Sequence, residues 1–253
     1  MTTTHTAARF LDRLESQRSP VELEKYGRYF KSGPGEYGEG DTFIGVRMGE
    51  VFALAKEFDD MDPEQIERLL ESPIHEARAG AVRIMARQAA GKRTDEARRK
   101  ALFDLYLRRT DRINNWDLVD LGAWDVVGRY LVDRPHDVLY ELARSPILWE
   151  RRTAILATFA FVRRGDLDDT FRIAEQLIDD DHDLIQKATG WALGAAGDRD
   201  PARLRRFLDD HAATMPRTTL RRAMEHFDKD ERATYLGLKS QRSSSSSSRK
   251  GIP

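Results

Sequence analysis

Ser145-Pro146-Ile147-Leu148-Trp149-Glu150-Arg151-Arg152-Thr153-Ala154-Ile155 repeats a pattern met 73 residues earlier, where Ser72-Pro73-Ile74 is followed by Arg78, Ala81 and Val82. Serine before proline marks a helix start, because the hydroxyl can cap free N–H groups and proline has none of its own to lose. A step of 36 residues then carries Leu148, Arg151 and Ile155 onto Leu184, Lys187 and Trp191. Since 73 is close to twice 36, the pattern is that of helix pairs recurring about every 36 residues, as in HEAT-type arrays. The reading predicts an all-α chain, a HEAT-like helical-repeat superhelix or α-α solenoid. Strand signals are absent, with neither strict alternation nor β-branched runs between turns.

Outward from that core the punctuation is consistent. A helix is expected from about Ala7 to Glu15, and Ser19-Pro20 opens a second that carries Tyr26, Tyr29 and Phe30. It stops at the glycine-rich run from Ser32 to Asp41. This run has neither the lysine-hydroxyl ending of a P-loop nor a preceding strand, so it reads as a connector. Asp62-Pro63 with Gln65 forms a capping-box pattern, and Thr94, Asp166, Asp181, Asp200-Pro201 and Met215-Pro216 mark later helix starts. Three regions follow: residues 1–18 as N-terminal arm and first helix, 19–239 as the repeat domain, and 240–253 as a tail. Six consecutive serines from Ser243 to Ser248 offer nothing to bury, so the tail is expected to be disordered.

Composition narrows the function classes. The 253 residues are 40% hydrophobic, enough for a substantial core. Forty-two basic and 43 acidic residues nearly cancel, so net charge alone selects neither nucleic acid nor membrane. Arginine supplies 33 of the basic residues and suits bidentate contacts with phosphate. The absence of cysteine excludes disulfides, thiolate zinc sites and thiol catalysis. Met1 to Ala8 lack the apolar region of a signal peptide and no run reaches membrane-spanning length, so a cytoplasmic location with no membrane partner is expected.

Two features carry chemistry. In Ile113-Asn114-Asn115-Trp116-Asp117-Leu118-Val119-Asp120, an asparagine cap at 114 or 115 would place Trp116 and Asp120 four residues apart on one helix face. Trp124 and Asp125 follow closely. An acid beside an indole must reach water, find a donor or meet a cation. Alternatively, Asp117 and Asp120 only complement the positive end of the helix while Trp116 packs inward. Second, Arg78, Arg151 and Lys187 fall in one repeat register and would line a basic stripe suited to a duplex backbone. They could equally pair with Glu76, Glu150 or Asp183. His75-Glu76 and His182-Asp183 lack a second histidine at ligand spacing and read as helix-start residues, so no metal is expected.

Taken together, Asn115-Trp116-Asp117 with Asp120, Trp149-Glu150-Arg151-Arg152-Thr153-Ala154-Ile155 and Lys187-Ala188-Thr189-Gly190-Trp191 resemble the AlkD-like DNA alkylation repair family, glycosylases built from HEAT-like repeats. The resemblance spans roughly Ser19 to Tyr235, including Gly27-Arg28-Tyr29-Phe30-Lys31 and Met215-Pro216-Arg217. It implies that Trp116, Asp120 and Trp191 meet the lesion nucleotide, that Tyr29 supports them, and that Arg152 holds the DNA backbone alongside Lys187, Arg151 and Arg78. The implied activity is excision of cationic N3- or N7-alkylated purines from double-stranded DNA by a monomer, without base flipping and without a cofactor. Room for bulky adducts would suit self-resistance to a DNA-alkylating metabolite. One departure stands out: relatives often carry leucine-arginine-glutamate where this chain has Leu193-Gly194-Ala195. The competing reading is a non-catalytic helical-repeat module that binds unusual DNA structures or a protein.

Overall fold

The computed structural model describes residues 5–27 and 29–247, with side chains described up to residue 238. The chain forms two compact units, Met1–Arg134 and Pro135–Pro253. In the first, α1 (Ala7–Glu15), α2 (Pro20–Tyr26), α3 (Met48–Glu57), α4 (Pro63–Leu70), α5 (His75–Ala90), α6 (Glu96–Arg108) and α7 (Trp116–Gly122) lead into a π-helical segment, Ala123–Gly128, and a short α8 (Arg129–Leu131). The second holds α9 (Asp137–Ala143), α10 (Leu148–Ala157), α11 (Phe159–Val162), α12 (Asp168–Gln176), α13 (Asp183–Gly197), α14 (Pro201–His211), α15 (Arg217–Ala223) and α16 (Lys229–Ser247). Among the described residues the single β-type pairing is an isolated bridge between Thr42 and Ile74.

Each unit is built around one buried helix. In the first it is α5, packed by α3, α4 and α7. Its small residues Ala77, Ala79, Gly80 and Ala81 are buried and let neighbours approach closely. At Gly80 a Cβ would stand 2.3 Å from the Phe10 ring of α1, so only glycine fits. In the second unit α13 plays this part, packed by α10, α12, α14 and α15. A Cβ at Gly190 would lie 2.5 Å from both the Thr219 carbonyl and the Arg222 Cβ, which fixes glycine where α15 crosses.

Local chemistry explains several helix starts. Ser19 accepts from the Glu22 N–H at 3.3 Å with Pro20 in the first turn, Asp95 caps α6, and Asp200 caps α14. Asp62 precedes Pro63 as expected, but the capping box does not close: Asp62 pairs with Arg98, and Gln65 accepts instead from the Ala7 N–H at 3.0 Å. Two further departures occur. α2 ends at Tyr26, so Tyr29 and Phe30 lie in the turn and extended chain beyond Gly27 rather than on the helix. At the other end α16 continues through Ser247, so the backbone of the first part of the serine run is helical where disorder was expected; Ser248 onward lies outside the described residues.

The repeat is real in its hydrogen bonds. Ile74 donates its N–H to the Ser72 hydroxyl at 3.1 Å and Ile147 donates to Ser145 at 3.0 Å. Arg78 Nη1 donates to the Ser72 and Pro73 carbonyls, each at 3.2 Å, and Arg151 Nη1 donates to those of Ser145 and Pro146 at 2.9 and 3.0 Å. In the third copy His182 N–H donates to the Asp180 carboxylate and Gln186 donates to the Asp180 carbonyl, both at 2.9 Å. The residue equivalent to Arg151 is therefore Gln186, not Lys187, and the step is 35 residues rather than 36.

Candidate functional site

Asn115 is the N-cap of α7; its Oδ1 accepts from the Trp116 N–H at 2.8 Å, and its Nδ2 donates to Asp41 at 2.9 Å. Trp116 and Asp120 then project one turn apart, both partly exposed. The Trp116 ring stacks on Phe30, with centroids 5.6 Å apart and planes at 20°. Phe30 is itself packed on Phe43 at 4.9 Å and on the His75 ring at 5.0 Å. Trp116 therefore forms the accessible end of an aromatic stack rather than a core residue. Immediately after α7 the backbone widens into the π-helical Ala123–Gly128, a form that occurs preferentially at functional sites. Asp125, within it, pairs with Arg129 at 2.5 Å. Tyr29 is 70% exposed, and its carbonyl accepts from the Tyr37 hydroxyl at 3.3 Å.

Beneath Trp116 lies a charge cluster that sequence reasoning missed. The fully buried His75 ring bonds Asp117 through Nε2 at 2.7 Å and Asp41 through Nδ1 at 3.2 Å. Arg78 pairs with the other Asp41 oxygen. Burial works against charge on His75, but Asp117 and the hydrogen bonds to Asp117 and Asp41 outweigh it and raise the imidazolium to about 9. Burial likewise opposes charge on Asp41, yet the bonds from His75 and Asn115 and the charge of Arg78 hold its carboxyl below the usual range. Beside His75, the buried Glu76 accepts three N–H groups through one oxygen, from Ile44 at 3.0 Å, Gly45 at 2.8 Å and Val46 at 3.3 Å. His75 opens α5 and His182 caps α13, in keeping with their reading as helix-start residues.

In the second unit Trp191 sits on α13, 47% exposed, with its ring 4.6 Å from Phe159. Gly190 and Gly194 form the seam under α15, and a Cβ at 194 would meet the Arg222 carbonyl at 3.3 Å. The Leu193-Gly194-Ala195 departure thus falls on a packed helix face.

The basic stripe needs correction. Arg78 is 2% exposed and bound to Asp41 and two carbonyls, so it cannot serve a phosphate. Arg151 is held by Asp180 at 2.7 Å and by the Ser145 and Pro146 carbonyls. Arg152 is 5% exposed and donates to the Leu184 carbonyl at 2.6 Å, tying α10 to the first turn of α13. Lys187 alone of the four is exposed; it pairs with Asp183 one turn away at 2.6 Å, a contact that solvent makes weak. Burial, which the repeat pattern could not reveal, withdraws Arg78 and Arg152 from solvent, and Arg151 is taken up by Asp180 and two carbonyls.

Among the described residues the fold is all-α, of the helical-repeat class, with an aromatic and acidic wall on α7. The DNA alkylation repair enzyme family model matches residues 10–227, and the chain belongs to that family. A solved structure from Enterococcus faecalis, described as a predicted DNA alkylation repair enzyme, aligns with a TM-score of 0.65 at 16% identity, covering 84% of this chain and 98% of that one. At that identity the likeness speaks to fold. A search of curated proteins finds no match. Membership makes the chain a DNA alkylation repair enzyme with DNA as its implied partner. Among the described residues no helix is long and apolar enough to cross a membrane.

Proposed function

We propose that the chain is a DNA glycosylase that hydrolyses the N-glycosidic bond of cationic N3- or N7-alkylated purines in duplex DNA, acting as a monomer and without base flipping. The observation that carries this reading is the pairing on α7 of a stacked, accessible Trp116 with Asp120 one turn later. A purine alkylated at N3 or N7 already bears positive charge, so the base leaves without protonation and the sugar develops oxocarbenium character. The Asp120 carboxylate would stabilise that developing charge and orient the attacking water. The Trp116 face would attract the cationic nucleotide by about 1 kcal/mol or more once water is excluded. Trp191, exposed on α13, is suited to the same cation–π role, and Tyr29 supplies a further exposed aromatic. Lys187, exposed and paired with Asp183, is the basic residue of the proposed set that would meet a phosphate. A purine held by stacking on the open indole face of Trp116 leaves space for a large alkyl group, so bulky adducts and self-resistance to a DNA-alkylating metabolite belong to the same proposal.

The test is incubation with duplex DNA carrying N7-methylguanine or N3-methyladenine, with released base identified by mass. Free base is the expected product. The withdrawal of Arg78 and Arg152 from solvent favours a second reading, a non-catalytic module that binds DNA or protein. Duplex binding with no base released from either lesion would select it.

A further inference from the structure

His75 stands at a junction that an ordinary core residue does not explain. Its backbone N–H donates to the Thr42 carbonyl at 2.8 Å, and Thr42 N–H donates back to Pro73 at 3.2 Å, so the chain before α3 is zipped to the start of α5. Its ring touches Phe30 and Phe43, at 5.0 and 4.7 Å between centroids. Its two nitrogens bind Asp41, in the loop, and Asp117, in the first turn of α7 and adjacent to Trp116. Asn115 closes the circuit by capping α7 while binding the same Asp41 oxygen that His75 binds. Loop, aromatic stack and helix start are thus fixed by one imidazole with no exposed surface.

We infer that His75 is a positioning residue: clamped between Asp41 and Asp117, it sets the first turn of α7 and the ring of Phe30, and through them the presentation of Trp116 and Asp120. The inference rests on the glycosylase reading for its consequence in turnover, but not for its consequence in geometry. Four charged side chains alternate in sign across the junction in the order Arg78, Asp41, His75 and Asp117; a buried ion cluster is weak evidence for stability, and in this proposal its role is to fix geometry. Two hydrogen bonds in fixed directions define the orientation of the α7 start where apolar contact would leave it free to slide.

The experiment compares the full chain with His75→Gln, Asp117→Asn and the double variant. Three readouts are taken: affinity for methylated duplex, first-order base release at saturating protein, and the near-ultraviolet dichroism of Trp116, isolated by difference from Trp116→Phe. Positioning predicts affinity within about threefold of the parent, base release at saturation at least tenfold slower, and an altered Trp116 signal. The double variant should be no slower than the worse single one, because both act through one bond. A lowered melting temperature with turnover at saturation and the Trp116 signal both unchanged would overturn the inference and leave His75 a stabilising core residue. If the parent itself releases no base, the glycosylase reading fails separately, and an unchanged Trp116 signal in the variants still overturns the positioning role. Asp117→Asn preserves side-chain volume and carries the same readouts should His75→Gln unfold.

Discussion

Arg78 and Arg151 do the same structural work 73 residues apart: each turns back from the second turn of its helix and donates Nη1 to the serine and proline carbonyls just before it. Those carbonyls precede the helix and have no partner within it, so the arginine closes the turn that aims the helix. Arg78 adds a buried pair with Asp41, whereas Arg151 pairs with Asp180 and keeps 19% of its side chain exposed.

The two substitutions should therefore differ. Arg78→Met leaves Asp41 buried with one partner fewer and should cost about 3–5 kcal/mol. Arg151→Met should cost about 1 kcal/mol, the scale of a partly solvated bond. Urea unfolding of the two variants measures both, and equal losses would contradict the burial argument.

A pH dependence follows from His75. Its folded pKa, about 9, lies above the unfolded value of 6.5. Within that window the unfolded chain loses a proton that the folded chain keeps. The stabilisation from His75 is complete below 6.5 and falls as pH rises through 9, with a slope of up to about 1.4 kcal/mol per pH unit. Asp41, shifted down, contributes in the opposite sense: its share is present above its usual value and is lost in acid. The charged groups facing the imidazole are Asp41 and Asp117, and Arg78 holds the other oxygen of Asp41. Unfolding free energies at pH 6, 7.5 and 9 should decline in the parent and flatten in His75→Gln; parallel curves would remove His75 as their source.

How far the sequence could be read depended on the range of the interaction. Ser19, Asp200 and Asn115 were legible as caps because their partners lie within three residues. The cluster around His75 was not, because its partners are 34 and 42 residues away and no periodicity links them. The repeat was legible but its third register was misread by one place. Charge matched Lys187 to Arg151, while the hydrogen bond that defines the position needs only an N–H donor, which the Gln186 amide supplies. The α7 pair of Trp116 and Asp120 could be read from helical spacing alone. The depth at which Arg78 and Arg152 lie could not, because burial depends on helices distant in sequence.

Gly190 couples packing to the exposed indole beside it. Gly190→Ala would place its Cβ 2.5 Å from the Thr219 carbonyl, so α13 and α15 must separate. Overpacking of this kind costs about 1–3 kcal/mol. The expected result is a lower melting temperature with shifted Trp191 emission, and a variant with parental values in both would mean that α15 yields at no cost.

The proposed chemistry divides Asp120 from Lys187 and Arg152. Asp120→Asn should slow single-turnover base release by roughly 100-fold or more while leaving affinity for lesion-free duplex unchanged, since the carboxylate acts on charge that develops in the transition state. Lys187→Ala should weaken duplex binding equally for every sequence and make the slope of log affinity against log salt shallower by about 0.9, the value for one phosphate contact. Its turnover should recover at saturating protein. Arg152→Ala should leave that slope unchanged, because its guanidinium is buried against the Leu184 carbonyl, and should instead destabilise the start of α13. Salt titrations of duplex binding, paired with single-turnover release, separate the three. A shallower slope for Arg152→Ala would restore it to the phosphate contacts, and wild-type release by Asp120→Asn would take that carboxylate out of the mechanism.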